Sequence, residues 1–524
     1  MRRLRIGVID LVAKGPTKAL WGKLMNANLA SIMPQIISVW CEEEGHHVQF
    51  ICYTGAEDLT SELPHDLDMV FISAFSQAAQ LSYALSNMFR KRGAITVLGG
   101  PHARCYPEDS RKYFDYVAGF ADKSIIVEIL REAEQHRPYG RYLATAKQPE
   151  SLPGVRERWK FQEHTLAKIP ISVKIVPMIG SLGCPYTCSF CIDSTVDYQP
   201  LGFEQITEDL KFIKTKMERP RIGWHDPNFG IRFDDYMDAI EASGTTDQVD
   251  HIAETSLALL AEPHLKRLQK NGFKAILPGI ESWYDMGNKS KTGKRHGMEK
   301  VQTVSEHVNM ILRYIPYIQT NFVMGLDGDE GPEPWELTKK FVDLSPGAFP
   351  GYSLLTAFGQ AAPLNLEYQK VGRVLPFPHH FLNNHHAMNV KPKNYTWTQM
   401  YDGILDVTKY TFSYRAIARR FAALKTPIPR WMNVLRAVSS EGWGRIKYYT
   451  KIREMLETDI PVRRYFEGES HELPQFYVNR IKKDLGPLWD YLPEGALQHD
   501  ENAYLKKEGG LVQLGTPNVA AAGN

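Results

Sequence analysis

The chain has 524 residues, of which 43% are hydrophobic, and its formal net charge at pH 7 is +2. This length exceeds one ordinary hydrophobic core and predicts two or three domains, while the near-neutral charge gives no support for nucleic-acid binding. Six cysteines in so long a chain do not make a disulfide framework. No apolar stretch approaches the ~20 residues of a membrane span, and the N-terminus turns charged too early for a secretory signal, so we expect a cytoplasmic protein.

The first 140 residues alternate predicted strands and helices. The strands are predicted over 4–10, 48–53, 68–73, 94–98 and 116–119, and the helices over 29–44, 77–92 and 122–135. Because these strands are apolar throughout, they are typical of a parallel sheet that helices cover on both faces. We therefore expect a doubly wound, Rossmann-like or flavodoxin-like α/β domain over residues 1–140.

Doubly wound sheets bind ligands at the carboxyl ends of their strands, so the residues there are informative. The relevant positions are Asp10, Val12 and Gly15 after the first strand, Ser73 after the third, and Gly99, Gly100 and His102 after the fourth. This pattern resembles the cobalamin-binding domain that precedes many radical S-adenosylmethionine (SAM) barrels. That family carries Asp-x-His-x-x-Gly, Ser-x-Leu and Gly-Gly at the three places.

Val12 stands where the family has its histidine. An imidazole can ligate a metal and a valine cannot. The resemblance therefore implies cobalamin bound without a histidine lower ligand. The alternative is a domain that is a structural relic or binds substrate. We expect His102 to line the pocket rather than to ligate metal.

Residues 141–170 are polar and contain several prolines, which predicts a linker. A second series of strands is predicted over 173–179, 221–225, 251–255, 275–279, 318–324 and 351–356. Six strands at α/β spacing predict a partial (β/α)6 barrel over residues 171–375 rather than a closed barrel of eight.

Three cysteines, Cys184, Cys188 and Cys191, follow the first strand of this barrel in the order Cys-x3-Cys-x2-Cys. Fe–S clusters usually take four cysteine ligands, so three clustered thiols and no fourth indicate a four-iron cluster with one open iron. Zinc sites usually supply four ligands as separated pairs, and the sequence has no second Cys-x2-Cys.

This spacing, with Phe190 just before the third cysteine, resembles the radical SAM superfamily, whose barrels also have six strands. The resemblance implies a [4Fe-4S] cluster whose open iron is chelated by SAM. It also implies that an electron from the cluster cleaves SAM to a 5′-deoxyadenosyl radical. Phe190 would lie beside the cluster and the adenine.

Three later strand ends are similar to the SAM-binding motifs of that superfamily. Asp226-Pro-Asn228 resembles the motif that holds the amino group of SAM, and Glu281-Ser282 resembles the one that contacts its ribose or methionine end. Gly325 belongs to a segment that resembles the motif near adenine. Such ligands gather at the carboxyl ends of barrel strands. For Glu281 the alternative is a carboxylate in a structural hydrogen-bond network.

Residues 376–508 have apolar residues at helical spacing and predict a helical cap over the barrel mouth, followed by a flexible tail over 509–524. Basic residues and tryptophans within 429–455 also allow a peripheral contact with a membrane surface. The favoured alternative is a cap with a solvated basic face. The histidines at 379, 380, 385 and 386 lack helical spacing and predict a loop rather than a metal site.

The resemblance implies a radical SAM enzyme, and no catalytic residue is identified beyond the cofactor-binding positions. We expect a cobalamin-dependent C-methyltransferase for a small-molecule or lipid-like substrate, with a flavodoxin or ferredoxin as electron donor. The main alternative is a radical rearrangement, cyclisation or oxidation in which cobalamin donates no methyl group. A methylthiotransferase for RNA is a further alternative, for which Cys41, Cys52 and Cys105 have the wrong spacing. A cobalamin or redox sensor would not need the SAM-binding loops.

Overall fold

The computed structural model describes residues 2–135, 137–145, 147–170, 173–383 and 385–501. The tail predicted over 509–524, and the end of the predicted cap beyond residue 501, lie outside these residues.

The first domain is built on a parallel sheet of six strands. The strands are β1 (Arg5–Leu11), β2 (His47–Tyr53), β3 (Met69–Ala74), β4 (Ile95–Gly99), β5 (Tyr116–Ala118) and β6 (Arg141–Leu143), in the order β2-β1-β3-β4-β5-β6. The helices are α1 (Leu20–Met25), α2 (Ile32–Glu43), α3 (Ala79–Lys91), α4 (Pro101–Cys105), α5 (Pro107–Ser110) and α6 (Lys123–Ala133). Apolar clusters fill both faces of the sheet, which confirms the doubly wound prediction. The strand order reverses between β1 and β3, the kind of switch point at which such sheets bind ligands.

The segment predicted as a linker over 141–170 contains two ordered elements. Its first residues form β6, which pairs in parallel with β5, and α7 (Val155–Ala167) packs on α2. The guanidinium of Arg158 is buried there and donates a hydrogen bond to Gln35 at 3.2 Å. A strand of three residues gives too short an apolar pattern to be recognised in a polar sequence. The predicted domain boundaries otherwise stay predictions.

The second domain is a partial barrel. Its strands are β7 (Val176–Met178), β8 (Ser181–Leu182), β9 (Gln199–Pro200), β10 (Arg221–Trp224), β11 (Asp250–Ser256), β12 (Phe273–Glu281), β13 (Tyr317–Met324) and β14 (Phe349–Leu354). Its helices are α8 (Phe203–Lys216), α9 (Phe233–Ala242), α10 (Glu262–Lys270), α11 (Gly287–Ser290), α12 (Gly297–Ile311), α13 (Glu333–Leu344) and α14 (Pro363–Lys370). Six parallel strands in the order β7-β10-β11-β12-β13-β14 confirm the predicted six-stranded barrel, and β8 and β9 form a separate antiparallel hairpin.

The remaining helices are α15 (Trp397–Thr411), α16 (Tyr414–Ala423), α17 (Pro427–Val438), α18 (Trp443–Thr458), α19 (Ile460–Phe466) and α20 (Gln475–Leu485). This confirms a mostly helical C-terminal region. Within the described part of the chain, no helix is both long and apolar enough to cross a membrane.

The α16–α17 hairpin packs at the amino ends of the barrel strands. Its Ala437 and the preceding Phe412 share an apolar cluster with Tyr317 and Phe349, which are the first residues of β13 and β14. The hairpin therefore lies at the end of the barrel opposite to the mouth that the sequence-based cap was expected to cover. Helical periodicity predicts that one face of a helix is buried, but it does not indicate at which end of the barrel that face packs.

Candidate functional site

The three cysteines lie in a loop that the β8–β9 hairpin closes at the carboxyl end of β7. The backbone N–H of Cys184 donates to the carbonyl of Val196 at 3.2 Å. Gly183 begins the loop with φ +67°, and a Cβ atom there would lie 2.1 Å from the carbonyl oxygen of Asp197. Only glycine fits this close approach and this backbone conformation without strain. The sequence therefore fixes the start of the loop at the glycine before the first cysteine.

All six cysteines are free, and Cys188 is buried while Cys184 and Cys191 are half-buried. Burial raises the pKa of each of the three loop thiols, for Cys191 to about 12, and Lys289 acts in the opposite direction on all three. The Cys191 sulfur accepts a hydrogen bond from the backbone N–H of Asp193 at 3.4 Å. A nearby cationic metal centre is the kind of group that makes buried thiols ionise.

The donor set does not fit one zinc ion. Zn–S bonds of ~2.3 Å in a tetrahedral site place the sulfurs about 3.8 Å apart. Over the described ranges, no three His, Cys, Asp or Glu side chains are grouped closely enough to hold a single metal ion. In an iron–sulfur cluster each thiolate binds a different iron, so the sulfurs lie farther apart. Three loop thiols of this kind fit a cluster.

A residue of the first domain holds the cysteine loop. The Arg104 guanidinium donates to the carboxylate of Asp193 at 3.1 Å and to the carbonyl of Ile192 at 2.9 Å. It also lies 4.0 Å from the centroid of the Phe120 ring. Arg104 belongs to α4, the short helix that follows Gly100. Sequence reasoning missed this contact because its partners are about 90 residues apart.

Glu281 ends β12 in a strained conformation. Its φ of +66° is in the left-handed region, which costs a residue with a side chain about 1 kcal/mol or more. Its buried carboxylate accepts a hydrogen bond from Lys289 Nζ at 2.6 Å. Burial lowers the pKa of Lys289, but Glu281 and the thiolate of Cys188 raise it, and the net shift is upward. We call this ion pair of Glu281 and Lys289, which lies beside the cysteine loop, the charged wall. Lys289 was not predicted from the sequence.

Ser282 and Asp226 are engaged within the protein. The Ser282 hydroxyl accepts from the backbone N–H groups of Tyr284 and Asp285 at 3.1 and 3.3 Å. The buried Asp226 carboxylate accepts from Ser181 Oγ at 2.7 Å and from the Tyr236 hydroxyl. Burial raises the pKa of Asp226 to about 6, against these hydrogen bonds. Both side chains therefore hold the strand ends together, whatever further contact they make.

Asn228 differs from these two. It is buried and its amide interacts with the Cys184 thiol, but neither amide atom has a nitrogen or oxygen hydrogen-bond partner among the described residues. An unsatisfied buried amide is costly, and sites of this kind are usually completed by a ligand or an ordered water. Asn228 is the predicted SAM-binding residue whose surroundings most clearly leave room for a ligand atom.

Gly325 and Phe190 lie at the same end of the barrel. Gly325 has φ +89°, and its N–H donates to the Asp329 carboxylate at 2.9 Å. Phe190 is partly buried against the main core, and the carbonyl of the preceding Ser189 accepts from Leu364 N–H at 2.9 Å. The segment that leaves the barrel thus also covers the cysteine loop.

Glu254, in β11, is a further site residue that the sequence did not suggest. Burial raises the pKa of its carboxyl, Lys289 opposes this shift and Glu281 adds to it. Glu254 therefore lies within electrostatic reach of the Glu281–Lys289 pair and adds a second carboxylate to that charged wall.

The predicted residues of the first domain divide into two groups. At the carboxyl end of β4, Gly100 has φ +86° and a Cβ there would lie 2.9 Å from Ser73 Oγ, whereas a Cβ on Gly99 would meet nothing within 4 Å. Gly100 therefore packs closely against Ser73, while Gly99 borders open space. Asp10 instead accepts from Ser31 N–H at 2.6 Å, and burial raises its pKa to about 6. Val12 packs in a small apolar cluster with other residues of the domain.

Gly15 and His102 are covered by the C-terminal region. A Cβ on Gly15 would lie 2.6 Å from the carbonyl oxygen of Asp484 in α20. His102 is fully buried, with its Nε2 at 2.6 Å from the Tyr83 hydroxyl and its ring 4.7 Å from that of His379. The structure therefore places His102 in a packed polar network rather than on the wall of an open pocket.

Residues 178–341 match the family described as the Radical SAM superfamily. A bacteriochlorophyllide d C-8(2)-methyltransferase of Chlorobaculum tepidum is 27% identical over 254 residues, which are 45% of this chain and 54% of that protein. The C-12(1)-methyltransferase of the same organism is 22% identical over 367 residues, 68% of this chain and 78% of that protein. The chain thus spans about half the length of the first of these curated relatives.

Two solved structures have a similar fold. The radical SAM methyltransferase TsrM of Kitasatospora setae, solved with cobalamin and a [4Fe-4S] cluster, has a TM-score of 0.52 and 12% identity over 71% of this chain and 76% of its own. The cobalamin-dependent SAM radical enzyme OxsB, solved with aqua-cobalamin, has a TM-score of 0.56 and 10% identity over 94% of this chain and 80% of its own. The barrel that carries the cysteine loop at the end of β7 therefore matches the Radical SAM superfamily over residues 178–341, and the order of a doubly wound domain before this barrel is a fold similar to those of TsrM and OxsB.

Proposed function

We propose that this protein is a radical SAM C-methyltransferase that uses a [4Fe-4S] cluster and cobalamin and acts on a small-molecule or lipid-like substrate. The observation that carries the proposal is the position of α4. This helix directly follows Gly99-Gly100 at the open edge of the first sheet, and its Arg104 holds the loop of the three cysteines. The strand ends of the first sheet and the cysteine loop thus meet across one short helix.

When bound, the cluster would supply the electron that cleaves SAM, and cobalamin would supply the methyl group. The chain itself supplies the three thiols, the unsatisfied amide of Asn228, and the wall formed by Glu281, Lys289 and Glu254. The positive charge of Lys289 offsets the two carboxylates and the thiolates, which lowers the cost of bringing these anions together out of bulk water.

The loop after β1 and the residues that follow the barrel shield the proposed cofactor sites from water. Lys14, in the loop after β1, donates to the carbonyl of His380, and Asn389 exchanges hydrogen bonds with the backbone of Ala357 at 2.8 and 2.9 Å. The residues after the barrel therefore close over the strand ends of the first sheet. Exclusion of water protects reactive intermediates from side reactions.

The names of the curated relatives support methyl transfer to carbon, and the titles of the similar structures support both cofactors. Val12, which packs in an apolar cluster, supports cobalamin held without an imidazole from this position. Free thiols throughout and an oxygen-sensitive cluster support a reducing cytoplasm and a flavodoxin or ferredoxin as electron donor.

The products made from SAM test the proposal. Protein reconstituted anaerobically with iron, sulfide and cobalamin is incubated with SAM, a strong reductant and candidate substrates. Methyl transfer through cobalamin consumes one SAM to S-adenosylhomocysteine and a second to 5′-deoxyadenosine. Formation of both products supports the proposal. Formation of 5′-deoxyadenosine alone, with no corrinoid absorbance in the purified protein, overturns it in favour of a radical reaction without methyl donation by cobalamin.

A further inference from the structure

Helix α17 exposes an apolar stripe to solvent. Ile428, Trp431, Leu435 and Val438 follow one another at helical spacing, and three of them are exposed, Ile428 by 61% and Trp431 by 64%. The opposite face of the helix is buried at the amino end of the barrel. A surface helix normally presents polar residues outward, so an outward apolar stripe marks an interaction surface.

Contacts with neighbouring rings fix the position of the stripe on the protein surface. The Trp431 ring contacts the Phe421 ring of α16 edge-on, with centroids 5.3 Å apart, and the Arg430 guanidinium lies 5.4 Å from the same ring. At the start of α16, Tyr414 is 80% exposed and its ring contacts that of Trp443. Exposed aromatic side chains in a fixed arrangement are typical of protein surfaces that enter the membrane interface.

The surroundings of the stripe are strongly basic. Residues 409–451 contain ten Lys and Arg residues and one acidic residue, Glu441, although the whole chain has a net charge of only +2. Glu441 pairs with the buried Arg436. Arg415, Lys425 and Lys447 are exposed, and in the part of the chain that the structure covers none of them pairs with a carboxylate. The rim of the stripe thus carries uncompensated positive charge.

The exposed apolar stripe and its basic rim together favour one kind of partner, an anionic lipid surface. A second copy of the chain would bring two basic surfaces against each other, which electrostatic repulsion opposes. An anionic lipid surface satisfies both features, because the apolar stripe enters the headgroup boundary while the lysines and arginines contact the lipid charges. The hairpin also lies at the end of the barrel opposite to the cysteine loop, so a bound membrane leaves the proposed site free.

We propose that the α16–α17 hairpin docks this protein peripherally on an anionic lipid bilayer through the α17 stripe and its basic rim. This inference is independent of the reaction proposed above.

Vesicle sedimentation of the full-length protein tests this proposal. Vesicles of phosphatidylcholine alone are compared with vesicles that contain about one-third phosphatidylglycerol. We expect the mixed vesicles to bind the protein at least about tenfold more tightly, and added salt to weaken that binding. Trp431→Ser, Ile428→Ser and Lys425→Glu should each weaken it by about three- to tenfold.

Two matched controls separate the stripe from general surface properties. Val371→Ser removes an apolar side chain that is 66% exposed elsewhere, and Lys483→Glu reverses an exposed charge on α20. Neither should alter vesicle binding, and equal iron content and melting temperature in all variants confirm that they fold.

Three results would overturn the proposal. The first is equal binding to both kinds of vesicle, and the second is an equal loss of binding in the controls. The third is assignment of the surface to another partner. Light scattering that shows a dimer dissociated by Trp431→Ser would assign it to a second copy. Tighter binding to polyglutamate than to vesicles, insensitive to Trp431→Ser, would assign it to an acidic protein.

Discussion

Arg104 of the first domain donates a hydrogen bond to Asp193 of the barrel domain at 3.1 Å. Arg104 follows β4 of the first sheet, and Asp193 lies two residues after the third cysteine of the loop. Neither side chain is more than about a quarter exposed. The link makes the position of the cysteine loop dependent on the first domain, which is where we propose that cobalamin binds.

Arg104→Ala should loosen this link. Hydrogen bonds to charged groups contribute about 1.5–3 kcal/mol when largely shielded, so we expect the free energy of unfolding to fall by about 1–3 kcal/mol. Denaturant unfolding measures it, and Arg104→Lys should recover part of the loss. Arg156→Ala is the control, because Arg156 lies 4.8 Å over the Phe212 ring but is exposed and away from the loop. An equal effect of both changes would contradict a specific role for Arg104.

Glu281 should be required as a carboxylate rather than as a hydrogen-bond acceptor. Glu281→Gln keeps the shape but leaves the half-buried Lys289 without its counter-charge, so we expect affinity for SAM to fall about tenfold or more. Glu281→Gly relaxes the left-handed backbone and should lose affinity at least as much. Isothermal titration of reconstituted protein with SAM measures both. Unchanged affinity in Glu281→Gln would show that the carboxylate has only a local structural role.

Asp329 predicts a specific pH dependence of stability. Burial raises its pKa in the folded protein to about 7, against hydrogen bonds from Gly325 and Leu326. The folded protein therefore keeps a proton that the unfolded chain loses above pH ~4, so this contribution to stability is lost as the pH rises through about 7. We expect Asp329→Asn to gain stability relative to wild type between pH 4 and pH 7, by up to about 4 kcal/mol. A pH-independent difference in the free energy of unfolding would contradict this assignment.

The Tyr83 hydroxyl lies between His102 Nε2 at 2.6 Å and Asp109 Oδ2 at 2.8 Å. Tyr83→Phe removes this hydroxyl from a fully buried network, so the free energy of unfolding should fall by about 1–3 kcal/mol. Cobalamin content should not change, because His102 is packed inside the network. If a folded Tyr83→Phe variant loses cobalamin, this would contradict the assignment and would indicate that His102 lines the cobalamin pocket.

Sequence reasoning predicted the parts of this molecule that depend on short segments. The apolar strands of both sheets and the position of the cysteine loop follow from local pattern, and so does the glycine pair after β4. The partners that complete the site lie elsewhere in the chain. Lys289 reaches Glu281 because α11 follows β12 closely, and Arg104 reaches Asp193 from the other domain. No periodicity in the sequence indicates either the path of the turn that brings Lys289 back to Glu281 or the contact between the domains.

The same limit explains two positions that the sequence suggested but the structure arranges differently. His102 was expected to line a pocket, but Tyr83 and His379 enclose it. The α16–α17 hairpin was expected over the barrel mouth, but it packs beside Tyr317 and Phe349. Both outcomes depend on where the C-terminal region packs, which its helical pattern does not specify.

The most direct test of the central claim is electron paramagnetic resonance of the reduced, reconstituted protein with and without SAM. Cys105, in α4 next to Arg104, is the cysteine of the first domain within electrostatic reach of Cys191, so Cys105→Ala is the matched control for Cys184→Ala. The account predicts one [4Fe-4S] signal that SAM shifts in both wild type and Cys105→Ala, and no such signal in Cys184→Ala. A signal that SAM leaves unchanged, or a cluster lost in Cys105→Ala, would contradict a cluster with three thiol ligands and one open iron.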